Sequence, residues 1–344
     1  MQLTLRQFDL PLRHVFTIAR GSSSVSRTLV VELEQDGVRG YGEAGENEYY
    51  GASIANMSAV LESVRPQLEA HTLGDPAELW QQLAPRLAHN TFAQCALDQA
   101  AHDLWGKLRG QPLWKLWGLS LEDVPVTDYT IGIDTIEVMV AKMQEFPGWP
   151  IYKIKLGTPN DLQIVRTLRG HTDAVFRVDA NCGWTGDEAI RNSAALKELG
   201  VEFIEQPLPP DDWEGMKKVF AESALPIVAD ESCQQEPDVD RCNGYFHGVN
   251  VKLVKCGGLT PARRMIARAK ELGLKTMVGC MTETSVGISA IAQLLPMLDY
   301  VDMDGALLLA QDVATGVTID RGRVQFPDEN GCGLRLLEEG PSVQ

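Results

Sequence analysis

Seven polar residues recur through the second two-thirds of the sequence: Lys155, Asp179, Glu205, Asp230, Lys252, Cys280 and Asp302, separated by 24, 26, 25, 22, 28 and 22 residues. Each interval is about one strand–helix repeat. If each residue ends its strand, all seven point into the mouth of a barrel, where barrel enzymes carry their chemistry. Three of them, Asp179, Glu205 and Asp230, are carboxylates on consecutive strands. Such like charges cannot share a pocket unless a cation offsets their repulsion. Oxygen donors without His or Cys suit a hard ion, Mg2+ ahead of Mn2+, with its other positions open to water or substrate. The expectation is one Mg2+ per site.

Lysines flank this triad. Lys153 and Lys155 are two apart on one strand and so face the same side of the sheet, inward. Lys252 ends the sixth strand, across the barrel from the second. Lysine is rarely buried without a task. Neighbouring ammonium groups and Mg2+ are expected to depress a lysine pKa, which makes the amine a usable base near neutral pH. Two lysines facing each other over a carboxylate held by the metal could remove an α-proton from one face and return one to the other. The metal would hold the enediolate between these steps. That is the chemistry of a racemase or epimerase. Each motif has a plainer reading by itself: K-x-K as a solvated strand edge, Asp230-Glu231 as a cap or surface charge, F-I-E as an ion pair. The shared register argues against all of them together.

The elements that must position these residues are legible as strand-like runs alternating with helical segments from about residue 125: Y-T-I-G-I, I-Y-K-I-K-L-G, A-V-F-R-V-D-A, V-E-F-I-E, P-I-V-A-D-E, V-N-V-K-L-V, K-T-M-V-G-C and Y-V-D-M-D. Strict alternation predicts a parallel sheet, and eight repeats predict a closed (β/α) barrel over 125–310. Asp187 is expected to cap one helix that Gly200 stops, and Thr260-Pro261 to open another that Gly273 stops. Residues 1–124 read as an α+β unit. Leu3, Leu5 and Phe8, then Leu29, Val31 and Leu33, lie on strands; Asp36-Gly37 is a hairpin turn; and Phe92, Ala96, Ala100 and Leu104 lie at helical spacing. Residues 311–344 are expected to return to that unit. The stretch G-Y-G-E-A-G over 40–45 matches G-x-G-x-x-G, but it lies on the return arm of a hairpin among Glu43, Glu46 and Glu48. It is therefore not a dinucleotide loop.

The 344 residues suffice for two domains, or for one large barrel with an appendage, and 44% hydrophobic with 23% charged residues excludes a disordered chain. A net charge of −16 argues against nucleic acid or an anionic membrane as partner. No apolar run reaches membrane-helix length, and the N-terminus lacks the apolar stretch of a signal peptide, so a cytoplasmic location and homo-oligomeric assembly are expected. The seven cysteines form no C-x-x-C pair and read as reduced, small hydrophobes.

Together, I-Y-K-I-K-L-G, R-V-D-A-N-C-G-W, F-I-E-Q-P, V-A-D-E-S and V-N-V-K-L-V-K-C-G-G resemble the enolase superfamily, muconate-lactonizing subgroup, over essentially the whole chain. The resemblance implies a (β/α)7β barrel with an N-terminal α+β capping domain completed by the C-terminal segment. It implies Lys155 and Lys252 as the acid/base pair, Lys153 as electrostatic helper, and Asp179, Glu205 and Asp230 as Mg2+ ligands. On the eighth strand, Asp302 and Asp304 in Y-V-D-M-D-G look like the pair by which dipeptide epimerases of the L-Ala-D/L-Glu type hold the substrate ammonium. The plainer alternative is a solvated barrel rim. Cys280 and Thr282 in G-C-M-T-E, and Thr130 in D-Y-T-I-G, are similar to the substrate-binding residues of those enzymes. Arg20, in F-T-I-A-R-G-S-S-S-V-S-R, is available to hold a side-chain carboxylate, although some relatives place that arginine about three residues on, at Ser23. The implied reaction is 1,1-proton transfer at the α-carbon of a dipeptide's C-terminal residue. Muconate lactonization, o-succinylbenzoate synthesis and N-acylamino-acid racemisation use the same lysines on substrates without an ammonium. A non-enzymatic metal-binding scaffold gives no reason for two inward lysines.

Overall fold

The computed structural model describes residues 1–337. It opens with an antiparallel sheet of β1 (Gln2–Ile18), β2 (Gly21–Gln35) and β3 (Val38–Gly45). Asp36 and Gly37 make the β2–β3 turn with φ of 55° and 78°, the two left-handed residues that a tight hairpin needs. Leu29, Val31 and Leu33 of β2 enter the core against α1 (Ile54–Glu69), α2 (Pro76–Leu87) and α3 (Thr91–Arg109). The glycine-rich stretch on β3 serves this packing. A Cβ at Gly42 would sit 2.2 Å from the Ala96 carbonyl oxygen, and one at Gly40 would sit 2.3 Å from the Leu104 nitrogen. The short α4 (Leu113–Leu116) ends this cap.

The barrel follows as β4 (Tyr129–Ile131), α5 (Ile136–Glu145), β5 (Ile151–Lys155), α6 (Asp161–Arg169), β6 (Val175–Asp179), α7 (Gly186–Glu198), β7 (Val201–Glu205), α8 (Trp213–Glu222), β8 (Ile227–Ala229) and α9 (Glu236–Cys242). It continues with β9 (Gly248–Val251), α10 (Leu253–Cys256), α11 (Leu259–Glu271), β10 (Lys275–Gly279), α12 (Ser285–Ala292) and β11 (Tyr300–Asp302). The eight strands pair in parallel in chain order, and a parallel bridge from Thr127 to Val301 closes the ring. This is the expected (β/α)7β barrel beneath an α+β cap.

Two helix starts differ from the sequence reading. Thr185, not Asp187, caps α7: its hydroxyl accepts from the Glu188 N–H while the Glu188 carboxylate accepts from the Thr185 N–H. That reciprocal box leaves Asp187 free to pair with Lys218 on the surface. Helix α11 begins at Leu259 rather than at Thr260, because an acid from another helix does the capping. Asp98 of α3 accepts from both the N–H and the hydroxyl of Thr260, each at 2.8 Å. Gly200 and Gly273 end their helices as expected, with φ of 73° and 74°.

The C-terminal segment forms β12 (Ala314–Thr315), β13 (Thr318–Asp320), β14 (Arg323–Gln325) and β15 (Arg335–Leu336); of the stretch expected to return to the cap, 338–344 lies outside the described residues. The return is made at α3, where buried Asp103 accepts from the N–H of Cys332 at 2.8 Å, from the N–H of Tyr41 at 2.9 Å and from Lys107 at 2.7 Å. All seven cysteines are free thiols, and all but Cys182 are buried. Among the described residues no helix is long and apolar enough to cross a membrane.

Asp103 thus joins the sheet, α3 and the C-terminal segment. Asp103→Ala strands two backbone N–H groups and should cost about 2–4 kcal/mol. Urea unfolding should show a lower midpoint at unchanged slope, and an unshifted midpoint would rule this role out.

Candidate active site

The periodic residues sit where the spacing places them. Lys155, Asp179, Glu205 and Asp302 are the last residues of β5, β6, β7 and β11, while Asp230, Lys252 and Cys280 directly follow β8, β9 and β10. Together they surround the mouth of the barrel, roofed by the β1–β2 hairpin and the loop after β3, and enclose a cavity of about 700 Å3. Lys155, Asp230, Lys252, Asp302 and Asp304 line it, as do Thr130, Cys280, Thr282 and Arg20. Lys153, Asp179 and Glu205 form the buried layer beneath.

One carboxylate oxygen from each of Asp179, Glu205 and Asp230 lies within 4.8 Å of the other two. The lysines interleave with them. Lys155 Nζ is 2.7 Å from Asp179, and Lys252 Nζ is 3.0 Å from Asp230. Lys153 Nζ lies 2.7 Å from Glu205, 2.7 Å from Asp302 and 3.4 Å from Asp179. Burial pulls the Lys153 pKa down, but the facing Asp302, Glu205 and Asp179 outweigh it and hold the group well above its ordinary value. Lys252 follows the same pattern: burial lowers it, Asp230, Glu205 and Glu231 together raise it by more, and the net direction is upward. These upward directions at Lys153 and Lys252 belong to the protein groups alone; the depression expected from sequence counts the charge of Mg2+ as well, which would oppose these carboxylates.

On the eighth strand two carboxylates are pushed apart. Burial raises Asp302, but Lys153 and Lys155 bring it down to about 2. Burial and the adjacent Asp302 raise Asp304 to about 7, against hydrogen bonds from Thr130. Those bonds run from the Thr130 N–H at 2.6 Å and from its hydroxyl at 3.3 Å. Asp302 Oδ1 is buried and accepts no hydrogen bond among the described residues. Neither residue is a solvated rim: Asp302 is 4% exposed and Asp304 is 2% exposed.

Sequence reasoning missed the groups that fix these side chains. Lys255 Nζ donates to Asp230 Oδ1 at 2.6 Å and to the Cys233 carbonyl at 2.9 Å, so a fourth buried lysine orients Asp230. Asn250, two residues before Lys252 and therefore on the same face of its strand, donates to Glu205 Oε1 at 2.8 Å. Asp161 accepts from the Gly157 N–H at 2.9 Å and from Trp184 Nε1 at 2.7 Å, which ties together the loops after β5 and β6. Glu231, which alone reads as a surface charge, is buried beside Asp230 and lies 2.7 Å from Arg20. The strand alternation could have found Asn250; the others needed the fold.

Residues 2–118 match the mandelate racemase / muconate lactonizing enzyme N-terminal domain, and residues 137–340 match the enolase C-terminal domain-like family. The chain belongs to the enolase superfamily. It is 57% identical to an L-Ala-D/L-amino acid epimerase of Flavobacterium johnsoniae, over 98% of this chain and 100% of that one. It is 41% identical to an L-Ala-D/L-Glu epimerase of Bacteroides thetaiotaomicron, over 98% and 88% of the two chains. Among solved structures, a dipeptide epimerase of Enterococcus faecalis complexed with Mg and L-Leu-L-Tyr superposes with a TM-score of 0.90 at 30% identity, covering 97% of this chain and 98% of that one.

Lys153→Met removes the charge that three buried carboxylates share. With no divalent cation added, urea unfolding at neutral pH should show a loss of about 3–5 kcal/mol, the cost of leaving buried anions uncompensated. A loss below about 1 kcal/mol would show that the carboxylates re-pair or take up protons without strain.

Proposed function

We propose that this superfamily member is an isomerase, a Mg2+-dependent dipeptide epimerase that moves the α-proton of the C-terminal residue from one face to the other. One observation carries the reading. Lys155 and Lys252 leave strands β5 and β9, four apart in a ring of eight, so they face each other across the cavity, with Asp302 and Asp304 on a third wall.

The donor set fits a hard divalent cation. It is three converging carboxylates without nitrogen or sulfur, and among the described residues Glu205 Oε2 is buried with no hydrogen bond, only the ion contact with Lys153. Asp179, Glu205 and Asp230 would hold one Mg2+, which when bound would supply electrophilic stabilisation to a substrate carboxylate and offset the anionic charge around Lys252. A dipeptide whose carboxylate lies at this cluster and whose ammonium lies at Asp302 and Asp304 has its C-terminal α-carbon between the two lysines. The lysine present as free amine takes the proton from its face, and the other, as ammonium, delivers one to the opposite face. Lys153, held cationic below, stabilises the negative charge that develops on the substrate. Thr130 fixes Asp304, while Cys280, Thr282 and Arg20 wall the space around the two ends of the dipeptide.

The test is incubation with an L-Ala-L-Xxx library in D2O, reading a mass increase of one at the α-carbon. Excess chelator should abolish exchange and Mg2+ should restore it. Lys155→Ala should block exchange from one enantiomeric centre and Lys252→Ala from the other. Parental rates in either variant would overturn the two-base assignment.

The Asp302/Asp304 pair separates epimerase from the ammonium-free chemistries. Each charge-assisted bond is worth about 1.5–3 kcal/mol, so Asp304→Asn should lower kcat/KM for a free dipeptide by about 10- to 100-fold. The parent should discriminate against the N-acetylated dipeptide, and the variant should lose much of that discrimination. Asp304, at about 7, is neutral below that pH and anionic above it. Parental kcat/KM should therefore rise as pH passes through about 7, a rise that Asp304→Asn lacks. A parent that treats free and acetylated substrates alike would favour a lyase or acylamino-acid racemase.

A further inference from the structure

The side-chain end of the cavity is set by a pair of residues that the chemistry above does not use. With the α-carbon between Lys155 and Lys252 and the ammonium at β11, the C-terminal side chain extends toward the loops after β6 and β8, beneath the cap. Two charged residues meet there. Arg20 Nη2 lies 2.7 Å from Glu231 Oε1, and Arg20 Nη1 reaches the Asn181 carbonyl at 3.3 Å and Cys182 Sγ at 3.8 Å. The guanidinium plane stacks over the Tyr49 ring with 4.4 Å to its centroid. Both of its terminal nitrogens and one of its faces are thus engaged within the protein.

Glu231 holds this arrangement in place. Its side chain is 0% exposed, and neither carboxylate oxygen accepts a hydrogen bond among the described residues, so the ion pair with Arg20 is its direct compensation. If Arg20 turned to a substrate carboxylate, Glu231 would be left as an uncompensated anion beside Asp230. The arriving carboxylate would meet that anion as well. The other cap cation lining the cavity, Arg27, is also matched, by Glu46 at 3.5 Å and Asp9 at 3.8 Å. Phe16, Ile18 and Tyr50 also line the cavity from the cap.

We infer that Glu231 is a specificity-determining residue: by occupying Arg20 it cancels the positive charge at the side-chain end, so the enzyme takes dipeptides with an uncharged C-terminal side chain in preference to an acidic one. The inference rests on the dipeptide-epimerase reading and names its substrate class.

L-Ala-L-Gln and L-Ala-L-Glu are nearly isosteric and differ in the charge that matters. Their kcat/KM ratio for α-proton exchange in D2O is measured on parent, E231Q, R20M and the E231Q/R20M double variant. Taking the ratio within each variant cancels any change in metal occupancy or in the folded fraction. The parent should favour L-Ala-L-Gln by about tenfold or more. E231Q, which frees Arg20 while keeping the shape, should move the ratio toward L-Ala-L-Glu by about 10- to 100-fold. The double variant should lose that gain, because the gain needs the freed guanidinium. Parental preference for L-Ala-L-Glu that disappears in R20M would overturn the inference, as would an unmoved ratio in E231Q. Should E231Q be inactive, the parent and R20M ratios decide: R20M should move further from L-Ala-L-Glu, because bare Glu231 repels it. Exchange on no dipeptide of the library would overturn the epimerase reading itself, and the inference with it.

Discussion

A buried ammonium surrounded by three carboxylates sets the terms for everything above it. Lys153 is 1% exposed, and desolvating a lone lysine to that extent costs several kcal/mol. It is tolerated because β6, β7 and β11 each bring an anion to it. Glu205 and Asp302 depend on Lys153 most directly, while Asp179 also has Lys155 at 2.7 Å, so the charged strand ends compensate one another. On the neighbouring strand, paired with Lys153 in the sheet, Arg177 repeats the device. It contacts Asp128 at 3.0 Å, Glu202 at 2.8 Å and the Val301 carbonyl at 3.1 Å, and so bridges the closing seam of the barrel. Barrel closure and the assembly of the charged mouth are one electrostatic event.

The same arrangement gives neighbouring carboxylates different duties. Asp302 and Asp304 are two residues apart, yet Lys153 and Lys155 hold Asp302 anionic, whereas burial and the repulsion of Asp302 raise Asp304 against Thr130 and Lys153. The first stays anionic at neutral pH; the second is balanced between its two forms. Asp230 is likewise divided, with one oxygen fixed by Lys255 and the other facing Lys252. Lysines that look redundant in the sequence therefore do separate work: Lys255 and Lys153 fix carboxylates, while Lys155 and Lys252 face the cavity.

How far the sequence could be read follows from which facts are periodic. A strand–helix repeat has a nearly constant length, so polar residues about one repeat apart reveal both the barrel and the ring of its mouth. Hairpin chemistry at Asp36-Gly37 is local and was equally legible. What could not be read is pairing at a distance. Nothing near Asp187 shows that Thr185 and Glu188 satisfy each other first, and nothing near Thr260 announces Asp98, 162 residues earlier. The charge balance around Lys153 and Lys252 is hidden for the same reason. Spacing counts the charges in a pocket, but contact distances decide which carboxylate faces which amine. Glu231 was discounted because an Asp-Glu pair is common on surfaces; its burial comes from the cap, whose approach the barrel sequence does not encode.

The seam between cap and barrel is built unevenly. On the α3 side it is largely buried and hydrogen-bonded: Asp98 and His102 reach Thr260, Glu43 accepts from the Thr284 N–H at 2.6 Å, and Trp80 donates to the Gly257 carbonyl at 2.9 Å, although His102 Nδ1 and Gln94 Nε2 have no partner among the described residues. On the hairpin side the links are polar and partly exposed, such as His14 to Glu145, with side chains 44% and 43% accessible. Local opening therefore costs least at the hairpin, and that is also where the cap contributes Arg20 to the cavity. The groups to which the proposed mechanism assigns proton transfer all come from the barrel, locked by mutual charge compensation in which a single change exposes a buried ion. The wall that the proposed reaction gives to the substrate side chain comes largely from the cap, where substitutions at Phe16, Ile18, Arg20 or Tyr49 disturb no buried ion other than Glu231. Side-chain preference can thus change through the cap without disturbing the chemistry, and the Arg20–Glu231 contact is the point at which the two halves constrain each other.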